Sequence, residues 1–197
     1  ETSYKGEVML NMPVTDNIAV RGVVYLDDQG GYIDNVPGTR TMRDSARFRP
    51  EGTVRANGVP VNSNRAGFQS DPASLAYLDN EVTFLEANNN NLVEDNFNDT
   101  QYSGFRVSAL WEINPDWTLT VAHMRQTIES DGVFFTDPEL GDLEVQRFED
   151  DELEDNLSNT SWTLEGRLGF LEMVYTGAYT EREATQTIAY SDYLFVG

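Results

Sequence analysis

Hydrophobic and polar residues alternate with a period of two in three separated blocks of this chain, and each block carries a short turn signal at its middle. The clearest block spans 162–179, WTLEGRLGFLEMVYTGAY. Trp162, Leu164, Gly166 and Leu168 alternate with Thr163, Glu165 and Arg167; Leu171, Met173, Tyr175 and Gly177 alternate with Glu172, Val174 and Thr176. Such alternation predicts strands that are apolar on one face only. With Gly169-Phe170 as a two-residue turn, Leu168 faces Leu171, Leu164 faces Tyr175 and Arg167 faces Glu172. The apolar pairs then share one face and the charged pair takes the other, so a single register satisfies both strands.

The first block sets Tyr4, Gly6, Val8, Leu10 and Met12 against Lys5, Glu7 and Asn11. After the turn chemistry of 13–17 (PVTDN), Ile18, Val20, Gly22, Val24 and Leu26 return, and weaker patterning continues through Tyr32 and Ile33. Pairing Met12 with Ile18 keeps apolar opposite apolar. The middle block sets Phe105, Val107, Ala109, Trp111 and Ile113 against Gly104, Arg106, Ser108 and Glu112, with Leu110 out of pattern. Asn114-Pro115-Asp116 turns the chain, and Trp117, Leu119 and Val121 return, Ile113 pairing with Trp117 and Trp111 with Leu119. Hairpins are therefore expected near 3–35, 102–128 and 160–190.

Two long polar stretches, 37–100 and 129–156, separate the hairpins. In the first, Asn57-Gly58 between Val54 and Val59 signals a small type I′ hairpin, and the asparagine run 88–91 reads as loop. In the second, 132–135 and 143–148 are candidate short strands. Short connections thus fall at one end of the strands and long ones at the other. The predicted fold class is all-β, with antiparallel up-and-down strands. Turns and loops segregated in this way are a feature of transmembrane β-barrels, with short periplasmic turns and long extracellular loops. A chain that opens and closes inside strand-like sequence predicts a partial barrel over 1–197. The alternative is a soluble extracellular β-sandwich binding glycan or calcium through its acidic loops, with loops at both ends.

Composition sharpens this in a few places. The mean hydropathy is −0.49. No run of about 18 apolar residues exists, which excludes a membrane-crossing helix, whereas a barrel strand needs only about 10 alternating residues. The formal charge of −21, from 34 acids against 13 bases, repels phosphate backbones and makes nucleic acid an improbable partner. Twelve of the acids lie in 129–156, against Arg147 alone. Without cysteine there are no disulfides, thiolate metal sites or cysteine nucleophiles. His123, the sole histidine, stands in a strand pattern with no ligand spacing around it. G-x-S-x-G, Walker A and dinucleotide fingerprints are missing, and EDDELED (149–155) lacks the spaced ligands and central glycine of a calcium loop. No enzyme activity, metal or cofactor is expected. Arg40, Arg43, Arg47, Arg49, Arg55 and Arg65 face only Asp44 and Glu51 nearby in sequence. They form either a patch for an anionic ligand or for lipid phosphate, or a solvated loop whose arginines pair with the acidic loops.

Four stretches carry a family likeness: RGVVYLDDQGGYIDN (21–35), DNFNDTQYSGFRVSALWEINPDWTLT (95–120), HMRQTIESDGVFFTDPELGDLEVQRF (123–148) and the third hairpin. Together they resemble the barrel of TonB-dependent outer-membrane receptors of Gram-negative bacteria. The resemblance implies energised uptake of a scarce solute of siderophore, cobalamin or saccharide class. It implies outer-membrane lipid as surroundings and the TonB complex as a partner through an N-terminal part. The sequence departs from the family pattern in showing no plug, no TonB-contacting segment and no closing strands, which implies a fragment. On this resemblance Val107, Ala109, Trp111, Leu119, Val121, Leu164, Leu168, Leu171 and Met173 meet lipid. Arg106, Glu112, Glu165, Arg167 and Glu172 face the lumen, and Arg40, Arg43, Arg47 and Arg49 are loop candidates for ligand contact.

Overall fold

In the computed structural model of the protein, residues 1–44 and 72–191 are described. Their elements are β1 (Tyr4–Thr15), β2 (Ile18–Gln29), β3 (Asp34–Asn35), β4 (Thr39–Thr41), a 3-10 turn (Met42–Asp44), α1 (Pro72–Glu81), β5 (Glu86–Asn88), β6 (Thr100–Asn114), β7 (Trp117–Asp131), β8 (Glu144–Val145), β9 (Glu152–Leu168) and β10 (Leu171–Thr187). They fall into two compact units, one of residues 1–32, 96–134 and 151–187, the other of 33–95, 135–150 and 188–197.

The first unit is a single antiparallel sheet in the order β1-β2-β6-β7-β9-β10. Each long strand lies beside the next long strand in sequence, so the sheet runs up and down. Among the described residues β1 and β10 are paired on one side only. The third hairpin has the register read from its pattern: Leu168 opposite Leu171, Leu164 opposite Tyr175, Arg167 opposite Glu172. Gly169 turns with φ +65°, the left-handed conformation that a type II′ turn places at its first central position.

The other two hairpins correct the expected registers. Met12 faces Val20, not Ile18; Ile18 is opposite Thr15, and the register shifts between Pro13 and Thr15. Trp111 does face Leu119, but Trp117 is opposite Asn114 instead of Ile113, with a shift between Glu112 and Asn114. Both turns are only two residues long, Asp16-Asn17 and Pro115-Asp116, and neither contains a positive φ. Turns without left-handed residues splay the strands they join, and a one-residue bulge beside the turn restores pairing. The strand expected through Tyr32 and Ile33 stops at Gln29; Ile33 is buried in the second unit.

The three tight turns share one end of the sheet and descend across it like stairs. The row of Ile18 runs through Trp111 to Leu119, two residues short of Trp117, where the next turn begins. The row of Trp117 meets Gly166, again two residues short of Leu168 at the third turn. The turn line therefore drops two residues for every two strands. At about 3.3 Å per residue and about 4.8 Å between strands, that inclines it by about 35°.

Two tryptophans lie flat against glycines of the neighbouring strand. A Cβ on Gly177 would meet Cζ2 of Trp162 at 2.5 Å, and one on Gly166 would run into the ring of Trp117. On the opposite face Tyr25 reaches across Gly104 to donate to Gln126 at 2.8 Å. Gly177→Val is expected to destabilise the sheet by about 1–3 kcal/mol through overpacking. Trp162→Ala in the same chain should recover part of that loss. A double-mutant cycle in urea reads the coupling, and strict additivity would show that the ring does not rest on Gly177.

The second unit corrects the loop assigned to 37–100. It contains α1 and the pair β4–β5, while β3 pairs in parallel with β8. Of the two short strands expected in the acidic stretch, only 143–148 contains one (β8), and 132–135 has none. The Asn57-Gly58 hairpin signal lies outside the described residues. Asn89, inside the supposed asparagine loop, is 0% exposed. Its Nδ2 donates to Val36 O at 2.9 Å and Asn35 Oδ1 at 3.3 Å, and its Oδ1 accepts from Gly38 N at 2.6 Å. Asn35 in turn donates to Leu92 O and accepts from Arg147 N at 2.8 Å. Side-chain amides here do the holding that strand ladders do elsewhere.

Candidate functional site

Register assigns every strand residue of the first unit to one of two faces. One face carries Val8, Leu10 and Met12, then Ile18, Val20, Val24 and Leu26, then Phe105, Val107, Ala109 and Trp111. It continues through Trp117, Leu119 and Val121 to Trp162, Leu164 and Leu168, and ends on Leu171, Met173, Tyr175 and Tyr179. This face is open. Val8 is 67% exposed, Leu10 64%, Leu168 62% and Tyr175 62%. Among the described residues, Ala122 is the only buried apolar residue in the six strands. An exposed apolar surface of this extent is uncommon on a protein that meets only water.

The opposite face is polar and nearly charge-balanced. Lys5, Arg21, Arg106, Arg167 and Arg182 stand there with Glu7, Asp27, Glu112, Asp155, Glu165 and Glu172. Most of the net negative charge is therefore elsewhere in the chain. Lys5 Nζ bonds Asp27 at 2.8 Å. Toward the long-loop end Arg182 Nε donates to both oxygens of Asp155, at 2.9 and 3.1 Å, and this hydrogen bonding holds the Asp155 carboxyl below the usual carboxylate range.

All five residues expected on the lumen side occupy this polar face, yet they do not form one cluster. Glu165, Arg167 and Glu172 line a shallow depression of about 360 Å3 at the turn end, together with Asp116 and Thr118. Arg167 and Glu172 approach to 3.9 Å with both side chains exposed, a pair of little energetic weight. Glu112 is opposite Thr118, which is itself opposite Glu165, so Glu112 stands two strands away from that acid. Arg106, opposite Met124, lies well up the sheet from the depression.

Of the loop arginines, Arg40 and Arg43 are described, both in the second unit. Arg43 bonds Asp79 of α1 at 2.8 Å and lies 5.8 Å from the Phe84 ring; Arg40 lies 5.6 Å from the Phe148 ring. Arg43 is thus paired with an acid of α1, within its own stretch of the chain. Arg47 and Arg49 lie outside the described residues. Arg147, buried, stacks 5.5 Å from Phe135 and donates to Ala189 O at 2.8 Å, a structural role that nothing in its sequence surroundings signals. Among the described residues no group of three or more His, Cys, Asp or Glu could hold a metal ion.

These features define an all-β protein whose long strands form one up-and-down antiparallel sheet with an apolar and a polar surface. Comparison with family models, with curated proteins and with solved structures gives no match.

Proposed function

We propose that this chain is a segment of an outer-membrane β-barrel of the TonB-dependent receptor class, serving energised uptake of a scarce solute. The observation that carries the reading is the staircase of turns. A strand tilt of about 35–45° is what closing a sheet into a barrel requires, and the turn line inclines by about 35°. The apolar face follows the same slope. It begins at the turns and ends about eight residues out, at Leu26 on β2 and Tyr179 on β10. Foreshortened by the tilt, eight residues at about 3.3 Å make a band about 22 Å tall, close to the about 25 Å apolar band of outer-membrane barrels.

In this reading the apolar face meets lipid, and the polar face with Arg106, Glu112, Glu165, Arg167 and Glu172 lines the lumen. A soluble sandwich packs two sheets face to face, whereas all six long strands here belong to one sheet. The solute remains one of the siderophore, cobalamin or saccharide class.

The tryptophans supply the test, because Trp111, Trp117 and Trp162 all stand on the apolar face. In the full chain folded into vesicles, brominated acyl chains should quench their fluorescence by more than half. Each Trp→Phe variant should remove part of the quenched signal. Folding in plain buffer to a monomer whose tryptophans ignore brominated lipid would replace the barrel by the sandwich.

A further inference from the structure

The apolar band is notched at β7 and, less deeply, at β9, where it ends on Trp162 and Thr160 follows. Counted from the last paired residue at each tight turn, the band closes at Leu26 eight residues out on β2, Phe105 nine out on β6 and Tyr179 eight out on β10. On β7 the same positions hold His123, six out, and Arg125, eight out. Arg125 is the only Lys or Arg on the apolar face of the described sheet; the five others stand on the polar face. It is exposed, and its guanidinium makes no hydrogen bond or ion pair among the described residues. A polar depression of about 690 Å3 opens over it, lined also by His123, Asn156, Ser158, Glu181 and Glu183.

Two of the neighbouring groups have partners of their own. His123 Nδ1 is bonded to Thr160 Oγ1 at 2.9 Å, which leaves Nε2 without a partner among the described residues. Glu181 accepts from the Tyr179 hydroxyl at 2.8 Å, and it lies in the row of Arg125 but two strands away, beyond Ser158. Glu183 stands one row further from the band. Arg182 serves Asp155 on the other face. Glu181 and Glu183 share the depression, but the Arg125 guanidinium forms no ion pair with either among the described residues. A guanidinium so placed, at the rim of an apolar surface, suits an amphiphile with an anionic head and apolar tails.

We propose that Arg125, with His123 beside it, binds the phosphate head of a lipid whose acyl chains lie on the adjoining apolar band between Phe105 and Tyr179. The inference rests on the membrane reading of the sheet. The shared chemistry of the site is a phosphate oxyanion, and continuity with the apolar band argues for a lipid as its source.

Native mass spectrometry of the full chain, folded in detergent micelles doped with dioleoyl phosphatidic acid or dioleoyl phosphatidylcholine, tests this. One phosphatidic acid per chain should be retained, and Arg125→Gln should weaken that retention about tenfold, the scale of one lost charge-assisted hydrogen bond. Arg125→Lys should fall between the two. Arg21→Gln, on the opposite face, should bind like the wild type, and phosphatidylcholine should not distinguish any of them. Wild-type retention by Arg125→Gln would overturn the proposal. Inorganic phosphate competing as well as the phospholipid would overturn it too, in favour of a free-anion site. Tryptophan quenching by brominated lipid separates the two levels of failure. Quenching without Arg125 dependence rejects the lipid site alone, and no quenching rejects the site and the membrane reading together.

Discussion

Leu164→Arg should cost about 2–4 kcal/mol of folding free energy in vesicles, and Leu168→Arg only about 0–1 kcal/mol. Both leucines stand on the apolar face of β9, so the two substitutions differ in depth alone. Leu164 is four residues from the turn pair Leu168–Leu171, near the middle of a band about eight residues tall; Leu168 is at its rim. A guanidinium at the rim can reach the interface on its own stem, while one at mid-band cannot. Thr163 supplies the control. It lies on the polar face, where its hydroxyl is 3.1 Å from that of Thr176. Thr163→Arg should lose no more than about 0.5–1.5 kcal/mol with that bond. Urea titration of the full chain in vesicles, followed by tryptophan fluorescence, measures all three. Equal losses at Thr163 and Leu164 would sink the assignment of faces, and equal losses at Leu164 and Leu168 would sink the membrane.

Asn89→Leu should destabilise the second unit by about 2–5 kcal/mol. The replacement is close in volume and adds apolar surface, so a simple burial argument predicts a gain. Hydrogen bonding decides otherwise. Leucine would strand Gly38 N–H and Val36 C=O and remove one partner of Asn35 Oδ1, and each buried group left unmet costs about 1–3 kcal/mol. Asn90→Leu, one residue on and exposed, should change stability by less than about 0.5 kcal/mol. Amide exchange at Gly38 is the direct readout. It should accelerate at least tenfold in Asn89→Leu and not in Asn90→Leu. An unchanged Gly38 amide would mean that its bond to Asn89 is not what protects it.

What could be read from the sequence follows from where the information resides. The third hairpin came out in register because alternation on both strands and a two-residue turn over-determine it. The first came out two residues off, since PVTDN (13–17) offers several turn positions and a bulge leaves no mark in polarity. A slip of two preserves faces, which is why the apolar face was still complete. Polarity patterning does not reveal helix α1; the sequence signal for it is Asp71-Pro72, a residue type that favours helix starts followed by a proline that tolerates the first helical turn. Nothing separates Asn89 from its three asparagine neighbours in sequence, because its importance comes from partners at 35–38. Likewise Glu165, Arg167 and Glu172 could be placed on one face by parity, but the depression they share with Asp116 depends on the pairing of β7 with β9.

The one-sided pairing of β1 and β10 has a consequence for how such a sheet can come into being. Among the described residues each outer strand offers a row of amide and carbonyl groups with no strand beside it. Hydrocarbon supplies no substitute, and every such group carried into it bare costs several kcal/mol. On the proposed membrane reading, both margins must therefore be paired before, or together with, entry into the bilayer. On that reading a short peptide copying β10 should compete for the strand that pairs with its outer edge, and so hinder assembly.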